Sequence, residues 1–157
     1  MMTKIIDGKQ IANKIKEEVR EHTANLYKSK GVKPGLAILL VGNDPASESY
    51  VRSKERNSEN MDFHFIMERR DSNITEEEVL NLIDKWNNDD EIHGILIQLP
   101  LPKHIDENKV LTRLDPNKDV DGFHPINLGR LVVGLDGMVP CTPAGIVELL
   151  KRSDIET

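Results

Sequence analysis

The sequence contains one cysteine, Cys141, which excludes an intrachain disulfide and any cysteine-based metal set and suits a reducing compartment. Long hydrophobic runs are also missing. The cleanest, Leu36 to Val41, falls far short of the ~20 residues that span a bilayer. The opening "MMTKIIDGKQ" has no apolar core of a signal peptide, so the cytoplasm is the expected location. Positive charge is not in excess: the formal net charge is −6, which argues against a broad nucleic-acid or acidic-membrane footprint. Neither G-x-x-x-x-G-K-[ST] nor G-x-G-x-x-G occurs, so the chain shows no nucleotide cradle of its own. His22, His64, His93, His104 and His124 lack the close spacings of a zinc site, and structural or surface roles are expected for them. There is no internal repeat or low-complexity tract.

With 157 residues, 38% of them hydrophobic, the chain can bury the core of one ordinary domain. Ile11, Ile15, Val19 and Leu26 follow a helical spacing from Gly8 until Gly31 and Pro34 interrupt it. "GLAILLVG" is short, continuously apolar and bounded by glycines, which predicts a strand buried on both faces. A helix is expected from about Ser47 to Met61, and "FHFIMER" reads as a second strand. In "ITEEEVLNLIDKW", Thr75 is the expected N-cap, Glu78 completes a capping box, and Val79, Leu82, Ile83 and Trp86 form an apolar stripe. "HGILIQLPLP" predicts a buried strand over Ile92 to Leu99, ended by prolines that cannot donate to a ladder. A short helix follows over Asp106 to Leu114, while "DPNKDVDGFHPINLGR" shows too little periodicity for an element and reads as a loop. The last helix is expected to start with Thr142 as cap and Pro143 at its first position. Strands separated by helices predict an α/β fold of three layers, α/β/α, around a mostly parallel sheet.

In such sheets, ligands gather outside the carboxyl ends of the strands. The strand ending at "GNDPASES" leads into a helix that places Tyr50 and Lys54 four residues apart on one face. Alone, that pair is ordinary helix surface. Gln98 is harder to set aside, because it is polar in an otherwise apolar strand end. Burying an amide without partners costs roughly 1–3 kcal/mol. Its partner is either backbone or the Lys54 ammonium. A lysine held in a partly apolar cleft by an amide dipole, without a counter-charge, can both donate and accept a proton. Tyr50 offers a ring face for a flat heterocycle.

"DPNKDVDGFHP" resembles a calcium loop only superficially. With Gly122 at the sixth position, Leu128 falls where a bidentate Glu is required, so calcium is rejected. Asp119 and Asp121 either form turns with Gly122 or offer a carboxylate to paired N–H donors of an amino-heterocycle. Cys141 has no local support as a nucleophile and is explained by the loop "PCTPAG" that leads into the last helix.

Together, "YVRSK", "IQLPLP", "KDVDGFHPINLGRL" and "PCTPAGIVELL", in this order and spacing, closely resemble the bifunctional methylenetetrahydrofolate dehydrogenase/methenyltetrahydrofolate cyclohydrolase family, in its N-terminal catalytic domain. The resemblance covers nearly the whole chain. It implies that Lys54 is the catalytic lysine, that Gln98 positions it, that Tyr50 packs against the folate and that Asp121 binds the pterin-like head. It further implies a tetrahydrofolate substrate, oxidation of 5,10-methylenetetrahydrofolate with NADP (in some members NAD), hydrolysis of the methenyl product to 10-formyltetrahydrofolate, and a homodimer in the full-length protein. Residues 1–150 would form the folate-binding domain of a two-domain dehydrogenase. Residues 151–157 would begin a connection to an NAD(P)-binding domain that the chain, ending at Thr157, does not contain.

Two departures from the family pattern are local. Arg56 stands where the family often has Lys, and Asp62 stands where a glycine commonly ends the helix. Asn60 or Asp62 would then take a left-handed cap at roughly 1 kcal/mol. Two rival readings stay open: a stand-alone folate-binding module without turnover, and a regulatory α/β domain.

Overall fold

The structure, a computed structural model, describes residues 5–156. Thr157 and the first four residues, on which the leader and chain-end expectations partly rest, lie outside the described residues. Asp7 caps helix α1 (Gly8–Lys30) by accepting from Gln10 N at 3.0 Å, and Gly31 at φ 68° closes it in the left-handed conformation. Strand β1 (Gly35–Val41) follows, then α2 (Pro45–Asn60), β2 (His64–Arg70), α3 (Glu76–Asn87), β3 (Gly94–Gln98), α4 (Glu107–Arg113), α5 (Pro125–Val132) and α6 (Cys141–Lys151). The Thr75–Glu78 capping box is present, with Glu78 N donating to Thr75 Oγ1 at 3.2 Å and Thr75 N to Glu78 Oε2 at 2.8 Å.

The sheet is parallel in the order β2-β1-β3, so β1 lies in the middle. Its alternate side chains serve two cores. Ala37, Leu39 and Val41 pack with Val79, Ile83 and Trp86 of α3 and Val110 of α4, whereas Ile38 and Leu40 pack with Leu96 and with Val51 of α2. Helices therefore cover both faces, giving the three layers expected. Each fully buried aliphatic side chain contributes about 1.5–3 kcal/mol, which makes β1 the most heavily stabilised strand. A further short segment pairs beside β3: Ile95 N donates to Lys118 O at 2.7 Å, and Ile95 and Asp119 form a parallel bridge.

Several expected boundaries move. Helix α2 begins at Pro45, two residues before Ser47, because the Asp44 side chain accepts from Ser47 N at 2.8 Å and Pro45 fits the first turn. Strand β3 is shorter than Ile92 to Leu99. The stretch expected to be a loop contains α5, where His124 Nδ1 accepts from Ile126 N at 3.1 Å as the cap. Its apolar residues Ile126, Leu128 and Leu131 are exposed and only Asn127 is buried, so the usual inward stripe is missing. Helix α6 starts at Cys141 after Pro140, with no side-chain cap, so Thr142 does not hold that role. It continues through Lys151. Just beyond it, Arg152 grips Glu18 of α1 through two hydrogen bonds, 2.8 and 2.6 Å long.

Candidate functional site

The parallel register sets Leu40 of β1 beside Gln98 of β3, so both strands deliver their ends to one edge of the sheet. From β1 the chain turns through Gly42 at φ 81° and enters α2, which carries Tyr50 and Lys54 back over that edge. There the Lys54 ammonium donates to Gln98 Oε1 at 3.0 Å. Gln98 Nε2 donates to Leu99 O at 2.9 Å, which fixes the amide so that its oxygen faces the lysine. Both open possibilities for Gln98 are thus realised, one on each end of the amide. The next peptide, Leu99–Pro100, is cis. Lys54 and Gln98 are half-buried, whereas Tyr50 is 65% exposed and leaves its ring open for a ligand.

The two carboxylates of the 115–124 segment divide the two roles considered for them. Asp119 is 1% exposed and accepts from Gly122 N at 3.2 Å, His124 N at 2.8 Å and Asn127 Nδ2 at 3.0 Å. It folds the segment onto the start of α5. Lys118 also serves structure, donating to Trp86 O, Asn87 O and Asp89 O at 3.0, 2.9 and 2.8 Å, where it covers carbonyls at the end of α3. Asp121 is half-buried and lies within electrostatic reach of Lys54, beyond ion-pair distance. Burial pushes its carboxyl above the usual range, the Lys54 charge pulls it back, Asp119 raises it, and a hydrogen bond with the Cys141 thiol lowers it.

Of the histidines, His93 accepts from Gly35 N at 2.9 Å and His104 Nε2 lies 2.8 Å from Ile74 O, both in structural positions. Among the described residues no group of His, Cys, Asp and Glu could hold a metal ion, and no helix is long and apolar enough to cross a membrane.

Sequence reasoning brought Tyr50, Lys54, Gln98 and Asp121 together but passed over Cys141, whose thiol reaches the same place. Nothing in "PCTPAG" alone signals this. The contact depends on the 139–141 backbone crossing Gly122, where a Cβ would stand 2.6 Å from Pro140 N and from Val139 C. Gly122 has φ 72° and leaves that space open.

A lysine oriented by a neutral amide, a carboxylate beside it and an open aromatic ring, all at the carboxyl edge of a parallel sheet, define a small-molecule site of enzyme type. The family profile described as tetrahydrofolate dehydrogenase/cyclohydrolase, catalytic domain, matches residues 6–121, and the chain belongs to this family. It is 53% identical over 155 residues to the bifunctional protein FolD of Bacillus pumilus, covering 99% of this chain and 54% of that protein. The Bacillus subtilis bifunctional protein FolD is 51% identical over 156 residues, with 99% and 55% covered. The crystal structure of the bifunctional enzyme FolD, a methylenetetrahydrofolate dehydrogenase/cyclohydrolase, from Campylobacter jejuni superimposes with a TM-score of 0.92 at 48% identity. That match covers 96% of this chain and 53% of the other. The Trypanosoma brucei N5,N10-methylenetetrahydrofolate dehydrogenase-cyclohydrolase, complexed with NADP cofactor and inhibitor, gives 0.92 at 34% identity, covering 99% and 54%. The chain spans about half the length of the curated relatives it matches.

Proposed function

We propose that this chain supplies the folate site and catalytic lysine of a bifunctional enzyme. It would oxidise 5,10-methylenetetrahydrofolate with NADP to 5,10-methenyltetrahydrofolate and hydrolyse that product to 10-formyltetrahydrofolate. The 3.0 Å contact between Lys54 and Gln98 carries this reading. It presents a lysine to the ligand face with an amide partner, and among the described residues no carboxylate stands within ion-pair distance of it.

In the hydrolysis, water adds to the one-carbon bridge of the methenyl cation and must lose a proton. The bond from that carbon to N5 then breaks as N5 gains a proton. Lys54 is the group placed to take the first proton and return one to N5. Gln98 Oε1 holds the lysine Nζ in reach through both exchanges, the nitrogen receiving the water's proton as an amine and returning one to N5 as an ammonium. Tyr50 stacks on the flat ring system, and Asp121 accepts from its amino-pyrimidine edge.

NADP supplies the hydride acceptor for the oxidation, but the described residues do not fit its pyrophosphate. The first turn of α2 is already capped by the Asp44 carboxylate, and the sequence lacks a glycine-rich phosphate turn. No step of the oxidation is therefore assigned to this chain beyond holding the folate. On this reading residues up to about 150 form the folate-binding domain, and the dinucleotide is held by the portion of the relatives beyond the match. A cytoplasmic location and a homodimeric full-length enzyme belong to the same proposal, and light scattering tests the second.

A folate-binding module without turnover would need Tyr50 and Asp121 but not the lysine–amide pair, which is why turnover is favoured. Lys54→Met is expected to abolish hydrolysis of methenyltetrahydrofolate, followed by loss of its absorbance, while folate binding survives. Hydrolysis at the original rate in that variant would overturn the assignment.

A further inference from the structure

Helix α6 begins with Cys141, and its thiol donates to Val120 O at 3.3 Å, inside the segment that carries Asp121. The approach is enforced by packing. Val139 and Pro140 cross Gly122 so closely that no side chain fits between them. The first turn of α6 is thereby pinned to the 119–122 turn. The titratable and charged groups around that carboxylate come from three elements: Lys54 from α2, Asp119 from its own turn, and Cys141 from α6.

We propose that Cys141 is a positioning residue: its thiol, delivered by the start of α6, holds the Val120 carbonyl and so braces the turn that presents the Asp121 carboxylate to a ligand. The inference rests on the reading of Asp121 as the folate-binding carboxylate. A thiol suits this place because it is a weak donor. It can hold the Val120 carbonyl without neutralising the charge a pyrimidine edge needs. The coupling runs in both directions. Burial and then the Asp121 charge push the thiol above its usual range, while the thiol's hydrogen bond holds the Asp121 carboxyl down. A cysteine so placed is a poor nucleophile, which accords with a supporting role.

Two measurements test this, and they separate the positioning role from the folate reading. Cys141 is the sole cysteine, so alkylation by N-ethylmaleimide reports on it alone. Asp121→Asn removes the neighbouring charge and is expected to label several-fold faster at mildly alkaline pH, with the profile moved toward lower pH. Superimposable profiles for the two proteins would end the proposal. The second measurement is calorimetric binding of 5-formyltetrahydrofolate as a function of pH. Cys141→Ala is expected to bind about five- to tenfold more weakly, the loss of one modest hydrogen bond. It should also lose binding at a higher pH on acidification, because the carboxyl is no longer held down. Cys141→Ser, which keeps a donor, should restore most of the affinity and the original acid limb. A serine variant as weak as the alanine variant, or an unmoved acid limb in Cys141→Ala, would reduce Cys141 to packing. If labelling shows the coupling but the unaltered protein binds no reduced folate, the folate reading fails and the link between Cys141 and Asp121 stands.

Discussion

Gly94 and Val120 meet at the edge of the sheet with no space to spare: a Cβ on Gly94 would lie 2.5 Å from Val120 Cγ1. This close approach lets the 118–120 segment pair with Ile95 and carry Asp121 to the site. Gly94→Ala must push that segment outward. The expected cost is about 1–3 kcal/mol of stability, read by urea denaturation, together with loss of folate affinity measured by calorimetry. A variant that is destabilised but binds with full affinity would show that Asp121 is placed independently of Gly94.

Asp119 gathers three donors in a buried position, so Asp119→Ala strands His124 N, while Gly122 N keeps the Asp119 carbonyl and Asn127 Nδ2 keeps Pro116 O. Leaving a buried donor without its acceptor costs about 1–3 kcal/mol. The midpoint of chemical denaturation should fall accordingly. Ligand binding should weaken as a secondary effect of a loosened turn.

Asp121 is costly to the fold. Its carboxyl is raised above 3.8, chiefly by burial. The folded protein therefore holds this proton more tightly than the unfolded chain does. Stability from the protonated form is fully present below the unfolded value and is lost as pH rises through the folded value. Asp121→Asn should raise the melting temperature at neutral pH, and this advantage should disappear in acid. Folate binding should drop sharply in the same variant. An unchanged or lower melting temperature at pH 7 would contradict this account.

Gln98→Ala removes the acceptor that holds Lys54 and leaves the rest of the site in place. The kcat of hydrolysis is expected to fall about 10- to 100-fold, the range typical of a misplaced proton-transfer group. KM should stay within a few-fold, as steady-state kinetics will report. A large change in KM alone would move Gln98 from positioning to binding.

Asp62 ends α2 at φ 57°, a conformation that costs a side-chain-bearing residue about 1 kcal/mol. Its carboxylate recovers part of this through Lys33 Nζ at 2.6 Å, an exposed pair of small value. Asp62→Gly should therefore stabilise the protein slightly, by about 0.5–1 kcal/mol in denaturation experiments.

What could be read from the sequence was what depends on neighbours along the chain or on a general rule of sheet geometry. The Thr75–Glu78 box is complete within four residues, so α3 was legible, and so was the left-handed turn at Asp62. The Lys54–Gln98 contact spans 44 residues, yet parallel strands end at one edge, and that rule sufficed. Helix α5 was missed because its apolar side chains face outward and its cap is a histidine. The start of α2 was misplaced although Asp44 and Pro45 spell a cap and a first turn. The division of labour between Asp119 and Asp121, and the arrival of Cys141, depend on a backbone crossing at Gly122. No pattern of residue types encodes that crossing.

The two sides of β1 are unequal. Toward α3 and α4 the sheet is backed by Trp86, Ile83, Val79 and Val110, whereas α2 rests on Ile38, Leu40, Leu96 and its own Val51. The helix bearing Tyr50 and Lys54 is thus the more lightly moored layer. Its amides should exchange with solvent sooner than those of α3. A flat ligand lying on Tyr50 and reaching Asp121 would supply the apolar bulk this layer lacks. Such a ligand would act as a removable piece of the protein interior, and each binding event would begin by finishing the packing that the polypeptide leaves incomplete.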